Sequence, residues 1–448
     1  MDVLVHLGQA WLTLQELLWS TVQADWLEIA AKFFPFVLLF ELPVQAVVMV
    51  GALRYYFHER AADASSAPPY YPPVTCIITC YSEGTDVQKT IRSLTDQLYP
   101  GHIEMLALVD GAHQNRPTAD ALRALLPFVK TQPRRTLEIV PKVQRGGRVS
   151  SLNQGLALAS GTIVLALDGD TSFDNDMVRH IARHFADPNI VAVSGNLRVR
   201  NAKKTLVTRL QALEYMLSIH LSRAGLDQYC AVNNISGAFG AFRRDFLRHI
   251  GGWDSGTAED LDLTLRIKKY FARYPHLRIR FEPRAIGHTD APEKFGQFLM
   301  QRLRWDGDLS YLYLRKYREA LRPGLLGWTN FLALVWTGFF FQLVLPFVVI
   351  LYMSWVFFVY SPGYVLGVLA FVYLFYLLLS LAMYAQYIAL LSERRRHDLG
   401  FAWVLLVFPA FAFVTRVWNG VATLAELFTK SHLDSSMAPW WVLRKTKF

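Results

Sequence analysis

Between Pro323 and Ser392 the chain carries no Asp, Glu, Lys or Arg. A helix that crosses a bilayer needs about 20 apolar residues, so this stretch has room for at least two spans. Its break at Ser361-Pro362-Gly363 sets them at 329–358 and 364–391. A helix of a soluble protein shows a charged face, and none is present. The 448 residues are 53% hydrophobic and only 18% charged, more apolar than an ordinary soluble chain. The block therefore reads as membrane segment rather than as core.

The formal net charge is +10. A surplus of that size suits nucleic acid, but equally the cytosolic loops of a membrane protein and a cleft for nucleotide diphosphates. The apolar block favours the second reading, without nucleic acid. Residues 3–22, apolar with interspersed Gln and Glu, read as an interfacial helix, and no cleavable signal peptide is expected. Residues 33–53 read as the first span. Glu41 lies within it and should face protein or a polar cavity, or else reach the interface. Lys32 is the single Lys or Arg before this span, whereas Arg54, His58, Glu59 and Arg60 follow it. The positive-inside rule places residue 54 onward in the cytosol. The loop Glu393-Arg394-Arg395-Arg396-His397 returns there. The region 401–428 is interrupted by Pro409, Arg416 and Asn419. A basic tail with Arg444, Lys445 and Lys447 favours a cytosolic C-terminus, and hence a hairpin or re-entrant pair at 401–428.

After a linker rich in Ala, Ser and Pro at 61–73, apolar runs at 74–79, 103–109, 137–140, 162–167 and 190–194 alternate with helical patterns. That alternation predicts an α/β domain with a parallel sheet. Cys76 and Cys80 face the same side of the first strand. With Cys230 they suggest neither zinc nor a disulfide framework. Residues 295–318, rich in Arg, Leu and Tyr, read as an amphipathic helical region at the membrane surface. The expected organisation is an N-terminal membrane part to residue 60, a cytosolic domain at 74–290, interface helices at 291–328, C-terminal spans at 329–430 and a tail at 431–448.

Three constellations can carry chemistry. The apolar run Leu165-Ala166-Leu167 ends in Asp168-Gly169-Asp170. Two carboxylates beyond a strand end suit a divalent cation bridging a diphosphate, although Asp-Gly is also common in turns. In Glu259-Asp260-Leu261-Asp262 the acids open an amphipathic stretch. They fit helix capping or a general base towards a hydroxyl. In Gln301-Arg302-Leu303-Arg304-Trp305 the side chains of Gln301, Arg304 and Trp305 recur within about one turn. Arg binds diphosphate in a fork, and an indole offers a platform for a sugar or an anchor at the interface. Asp306-Gly307-Asp308 follows, open to a second metal site, a turn, or pairing with Arg302.

Taken in order, the motifs are Tyr81-Ser82-Glu83, Val109-Asp110-Gly111, Gly146-Gly147-Arg148 with Asn153, Asp168-Gly169-Asp170, Ser236-Gly237-Ala238-Phe239-Gly240, Glu259-Asp260 and Gln301 to Trp305. This series resembles the family 2 glycosyltransferases in their processive membrane branch, with the cellulose, chitin, hyaluronan and poly-N-acetylglucosamine synthases. Ser194-Gly195-Asn196-Leu197-Arg198, with Gln211 and Glu214-Tyr215, is most similar to the poly-N-acetylglucosamine type. The resemblance covers residues 74–318 and the flanking spans. It implies a GT-A, Rossmann-like domain between transmembrane helices, working in a bacterial inner membrane on a UDP-sugar with Mg2+ or Mn2+.

By the same resemblance, Glu83 and Asp110 serve the uridine pocket, and Asp168 and Asp170 bind the metal–diphosphate unit. Asp260, flanked by Glu259, is the base. Gln301 and Arg304 clamp the diphosphate, Arg148 lies by the donor phosphates, and Trp305, with Ser236 and Gly237, meets the acceptor. The implied product is a β-linked polysaccharide passing through a channel of spans. Where the family often has Lys this chain has Arg148, and where it has a second Asp this chain has Gly111. No fused cyclic-dinucleotide sensor is expected, and a small accessory membrane subunit could take its place. Two rival functions remain. One is a single glycosylation of a membrane lipid; the other is a transporter with an inactive sugar-binding domain.

Overall fold

The computed structural model describes residues 2–22, 37–63, 69–254 and 258–430. Lys32, the start of the first expected span, part of the 61–73 linker and the basic tail lie outside these residues. Eight strands form one sheet: β1 (Val74–Cys80), β2 (Ile103–Val109), β3 (Arg135–Pro141), β4 (Ile163–Asp168), β5 (Ser172–Phe173), β6 (Ile190–Val199), β7 (Phe239–Arg243) and β8 (Arg278–Thr289). Their order is β3-β2-β1-β4-β7-β6-β8-β5. β1, β2 and β4 are near-continuous apolar runs buried on both faces, as parallel strands covered by helices must be.

The sheet is mixed, which corrects the expectation of a parallel one. β7 runs antiparallel to both β4 and β6, and β5 antiparallel to β8. The five expected strands form. β7 is a short run, Phe239–Arg243, outside the five expected, and β8 has no simple apolar signature, because it carries Arg278, Arg280, Glu282 and Arg284. Tertiary partners make this tolerable: the buried Glu282 accepts from Arg183 at 2.5 Å and lies 2.7 Å from His184 Nε2. β6 runs on through Asn196 and Arg198, stabilised by its pairing with β8.

Two described helices are long and apolar enough to cross a membrane: Trp328–Val359, 32 residues at mean hydropathy 2.3, and Pro362–Leu390, 29 residues at 2.5. Arg395–Leu406 and Phe408–Thr429 together are apolar enough for a third but bend by 72°. The bend falls just before Pro409, which cannot donate to a helix interior. The N-terminal helix Asp2–Val22 is 21 residues long. It packs along Pro362–Leu390, with Gln9 against Gly363 and Thr13 against Gly367.

Candidate active site

Around β1 the order β3-β2-β1-β4 reverses its winding, and open α/β sheets bind ligands beyond the strand ends at such a point. Asp168 closes β4 there, in register with Thr79 of β1. The chain turns through Gly169 and leaves Asp170 exposed.

The helix Gly147–Leu158 enters the same corner. Gly147 opens it at φ 77°, a left-handed conformation that costs glycine no clash. Asp110 holds this turn. Its Oδ1 and Oδ2 accept from the Gly146 and Gly147 N–H groups at 2.9 and 2.8 Å, and Lys142 Nζ lies 2.8 Å from Oδ1. The next residue, Arg148, is the hub. Its Nε donates to Glu259 Oε1 at 2.5 Å and its Nη2 to the Gly237 carbonyl at 2.5 Å. Its Nη1 donates to Thr79 Oγ1 at 2.7 Å and pairs with Asp168. Burial works against this guanidinium charge, and Asp168 and Glu259 outweigh it. Burial raises the Glu259 carboxyl above its usual value, with Arg148 opposing.

Asp260 stands beside this hub at the start of helix Glu259–Lys268. Its Oδ2 accepts from Gly237 N–H at 3.0 Å and from Asn234 Nδ2 at 3.1 Å. Ala258, just before the acidic pair, is left-handed at φ 48°, which costs a non-glycine residue about 1–3 kcal/mol and is held by the surrounding fold. Ser236 N–H donates to Ser194 Oγ at 3.2 Å. Glu83 lies across the cleft against Gly169. Its Oε1 accepts from Tyr81 N–H at 2.7 Å. Burial pushes its carboxyl up to about 7 against that hydrogen bond, and Asp170 and Asp168 add to the rise.

Arg148, Asp168, Glu259, Gly237 and Asp260 thus share one bonded network. Asp110 joins it through the Gly146–Gly147 turn. Gln301, Arg304 and Trp305 come from a different element, the helix Phe295–Tyr311. That helix meets the acidic one through an apolar cluster in which Leu261 and Leu265 pack with Leu309, Leu312 and Tyr313. Trp305 remains 44% exposed. The residue after it, Asp306, faces protein. Burial raises its carboxyl to about 7 against the charge of Arg302, and Asn419 of the last helix approaches its Oδ2 at 2.6 Å once its carboxamide is oriented to satisfy its neighbours.

Sequence reading missed Thr79, Lys142, Ser194 and Asn234 as parts of this corner. Asn234 alone had a local signal, two residues before Ser236-Gly237. Among the described residues no three His, Cys, Asp or Glu side chains converge as a metal cage. Asp168 and Asp170 offer hard oxygens, so a divalent cation fits here if substrate oxygens complete its shell. The arrangement combines a carboxylate aligned by two N–H donors, a cationic hub, two candidate cation ligands and an exposed indole.

Comparison with known proteins gives the same reading. The family described as Glycosyltransferase like family 2 matches residues 72–307. The poly-beta-1,6-N-acetyl-D-glucosamine synthase of Staphylococcus epidermidis is 28% identical over 295 residues, covering 64% of this chain and 68% of its own. The synthase of the same name from Staphylococcus aureus is 27% identical over 297 residues, covering 65% and 69%. A mannosyltransferase from Pyrobaculum calidifontis, solved in complex with GDP-Man and Mn2+, shares the fold. Its TM-score is 0.53 at 18% identity, over 86% of this chain and 99% of that one. The family match spans more than half of the sequence, and the chain belongs to glycosyltransferase family 2, as a GT-A-fold glycosyltransferase with helices apolar enough to span a membrane.

Proposed function

We propose that the protein is a processive, inverting transferase. It polymerises a β-linked polysaccharide from a UDP-sugar, UDP-N-acetylglucosamine first and UDP-glucose second, and passes the product through the bacterial inner membrane. The observation that carries this is the junction between Asp260 and the spans. Asn234 bonds Asp260, and its neighbour Asn233 donates to Thr337 Oγ1 at 2.7 Å within the span Trp328–Val359. Five residues further along, the carboxamides of Gln342 and of Asn419 of the last helix lie 2.8 Å apart. The buried Asn233 and Asn330 Oδ1 atoms have no partner among the described residues. Buried acceptors of this kind are costly in an apolar setting, and sugar hydroxyls would satisfy them. This polar series begins at the base and enters the membrane segment, as an extruding synthase needs and a single lipid glycosylation does not. The segment that carries it, Leu334–Val344, is wound as a π-helix, a distortion frequent at functional sites.

In this mechanism Asp260 takes the proton of the acceptor hydroxyl. That oxygen attacks the anomeric carbon from the side opposite the diphosphate, the bond to the diphosphate oxygen breaks, and UDP leaves with the electron pair. Gln301 and Arg304 hold the leaving diphosphate, and Arg148 keeps Asp168 and Glu259 in place. Asp168 and Asp170 would hold Mg2+ or Mn2+, which neutralises charge on the leaving group when bound. Asp110 fixes the Gly146–Gly147 turn that borders the uridine pocket, with Glu83 beside it. Trp305 carries the acceptor sugar, with the Ser236-Gly237 turn beside the base.

Purified enzyme supplied with a panel of labelled UDP-sugars should give long polymer. Single-sugar lipid adducts as the sole product would refute the reading. Asp260→Asn should lower turnover by about 10²–10⁴-fold, the range expected for a general base, while UDP affinity measured by calorimetry stays close to the native value. Full activity in that variant would refute the base assignment.

A further inference from the structure

Arg302, the second residue of the Gln301-to-Trp305 motif, takes no part in the mechanism above, yet its guanidinium is buried and tightly organised. It sits between two rings of its own helix, 5.2 Å from the Phe298 ring centre and 5.1 Å from that of Trp305. Phe298 is four residues before it and Trp305 three after, the spacing that stacks side chains on one helical face. From the neighbouring helix Leu206–Glu214, Glu214 Oε2 accepts from its Nη2 at 2.6 Å. Both partners are largely buried, with side chains 13% and 18% exposed. One carboxylate therefore pins a flat cation against the indole. A desolvated cation–π contact is worth up to about 2 kcal/mol, and an indole already ordered loses less freedom when a sugar stacks on it.

We infer that Glu214 and Arg302 form a positioning relay that presets the Trp305 indole for the acceptor sugar. This rests on the reading of Trp305 as the acceptor platform. A salt bridge that merely docks two helices would need the charge pair but not the planar guanidinium. A membrane-belt tryptophan would need neither.

The test uses full-length enzyme in lipid nanodiscs, with UDP-N-acetylglucosamine as donor and an N-acetylglucosamine pentasaccharide as soluble acceptor. Arg302→Lys keeps the charge for Glu214 and loses the flat face. It should raise the acceptor KM by about tenfold, as expected from loss of a partly desolvated stack, with kcat at saturating acceptor and the affinity for UDP unchanged. The exchanged pair Glu214→Lys/Arg302→Glu keeps an ion pair for folding and should retain the raised acceptor KM. Trp305→Ala should raise acceptor KM at least as much. If Trp305→Ala raises it while Arg302→Lys leaves it at the native value, the relay is wrong and the platform stands. Recovery of the native value in the exchanged pair would likewise reduce the relay to a helix clip. If Trp305→Ala has no effect, platform and relay both fall.

Discussion

Single residues in the cleft are held by their surroundings more than by local sequence. Glu83 shows this most clearly. Its carboxyl lies at about 7 instead of 4.5, chiefly through burial. A carboxyl raised in the folded state binds its proton more tightly there than in the unfolded chain, so its contribution is fully present below 4.5 and is lost as pH rises to 7. The stability of the native enzyme relative to Glu83→Gln should therefore fall between pH 4.5 and 7 and be level on either side. Parallel melting curves of the two proteins check this, and a constant difference would show that Glu83 is not buried as an acid. Asp110 illustrates the same lesson differently. The family resemblance of its motif pointed to a binding role. Its partners, the Gly146 and Gly147 N–H groups and Lys142, are separated from it by more than thirty residues, so no local pattern could disclose that it builds the turn.

At the scale of elements, backbone contact decides how the N-terminal membrane part meets the catalytic domain. Helix Leu42–Asp63 crosses Ser222–Asp227 at Gly51 and Gly225. A Cβ on Gly51 would stand 2.2 Å from the Gly225 carbonyl oxygen, and one on Gly225 would stand 2.3 Å from that of Val48. Backbone atoms cannot rotate away as a side chain can. Gly51→Ala should then cost about 1–3 kcal/mol by overpacking, seen as a lower melting temperature in detergent. An unchanged melting temperature would mean that the two helices are not in contact. Nothing in the sequence marks Gly51, a glycine in an apolar run, as a contact point. The strand runs, by contrast, were legible element by element, because burial on both faces leaves an uninterrupted apolar signature. β8 was not legible, since its Arg280 and Glu282 are met by Asp227, Arg183 and His184 from other elements.

Over the whole molecule, two buried ion pairs tie separate parts of the chain together. Arg198 on β6 pairs with Asp398 in the short helix Arg395–Leu399 that follows Pro362–Leu390. Asp398 also accepts from Ser392 Oγ at 2.7 Å and Tyr387 OH at 3.0 Å. The catalytic sheet is thereby clamped to the membrane helices. Glu41, 4% exposed, pairs with Arg416 of the last helix and accepts from Tyr376 OH of Pro362–Leu390. It faces protein and does not reach for the interface. Arg416→Met would strand that carboxylate, at a cost of about 3–5 kcal/mol. The double change Glu41→Gln/Arg416→Met should recover most of it. Thermal unfolding in detergent of the native protein, Arg416→Met, Glu41→Gln and the double variant forms the cycle, and an additive result would show that the two groups do not interact.

Sequence by itself determined the class of molecule: a charge-free block too long and apolar for anything but spans, an alternating α/β domain before it, and acidic and basic motifs in an order that identifies a glycosyltransferase. These features are local, because hydrophobic period and strand-end chemistry act over a few residues. Only the tertiary structure decided that Arg148 joins Asp168 to Glu259, that Gly237 and Asn234 align Asp260, that the sheet is mixed, and that Glu214 sets Arg302 beneath Trp305. Those are contacts between residues 20 to 111 positions apart. Their energies depend on burial and direction, which exist only once the chain has closed on itself.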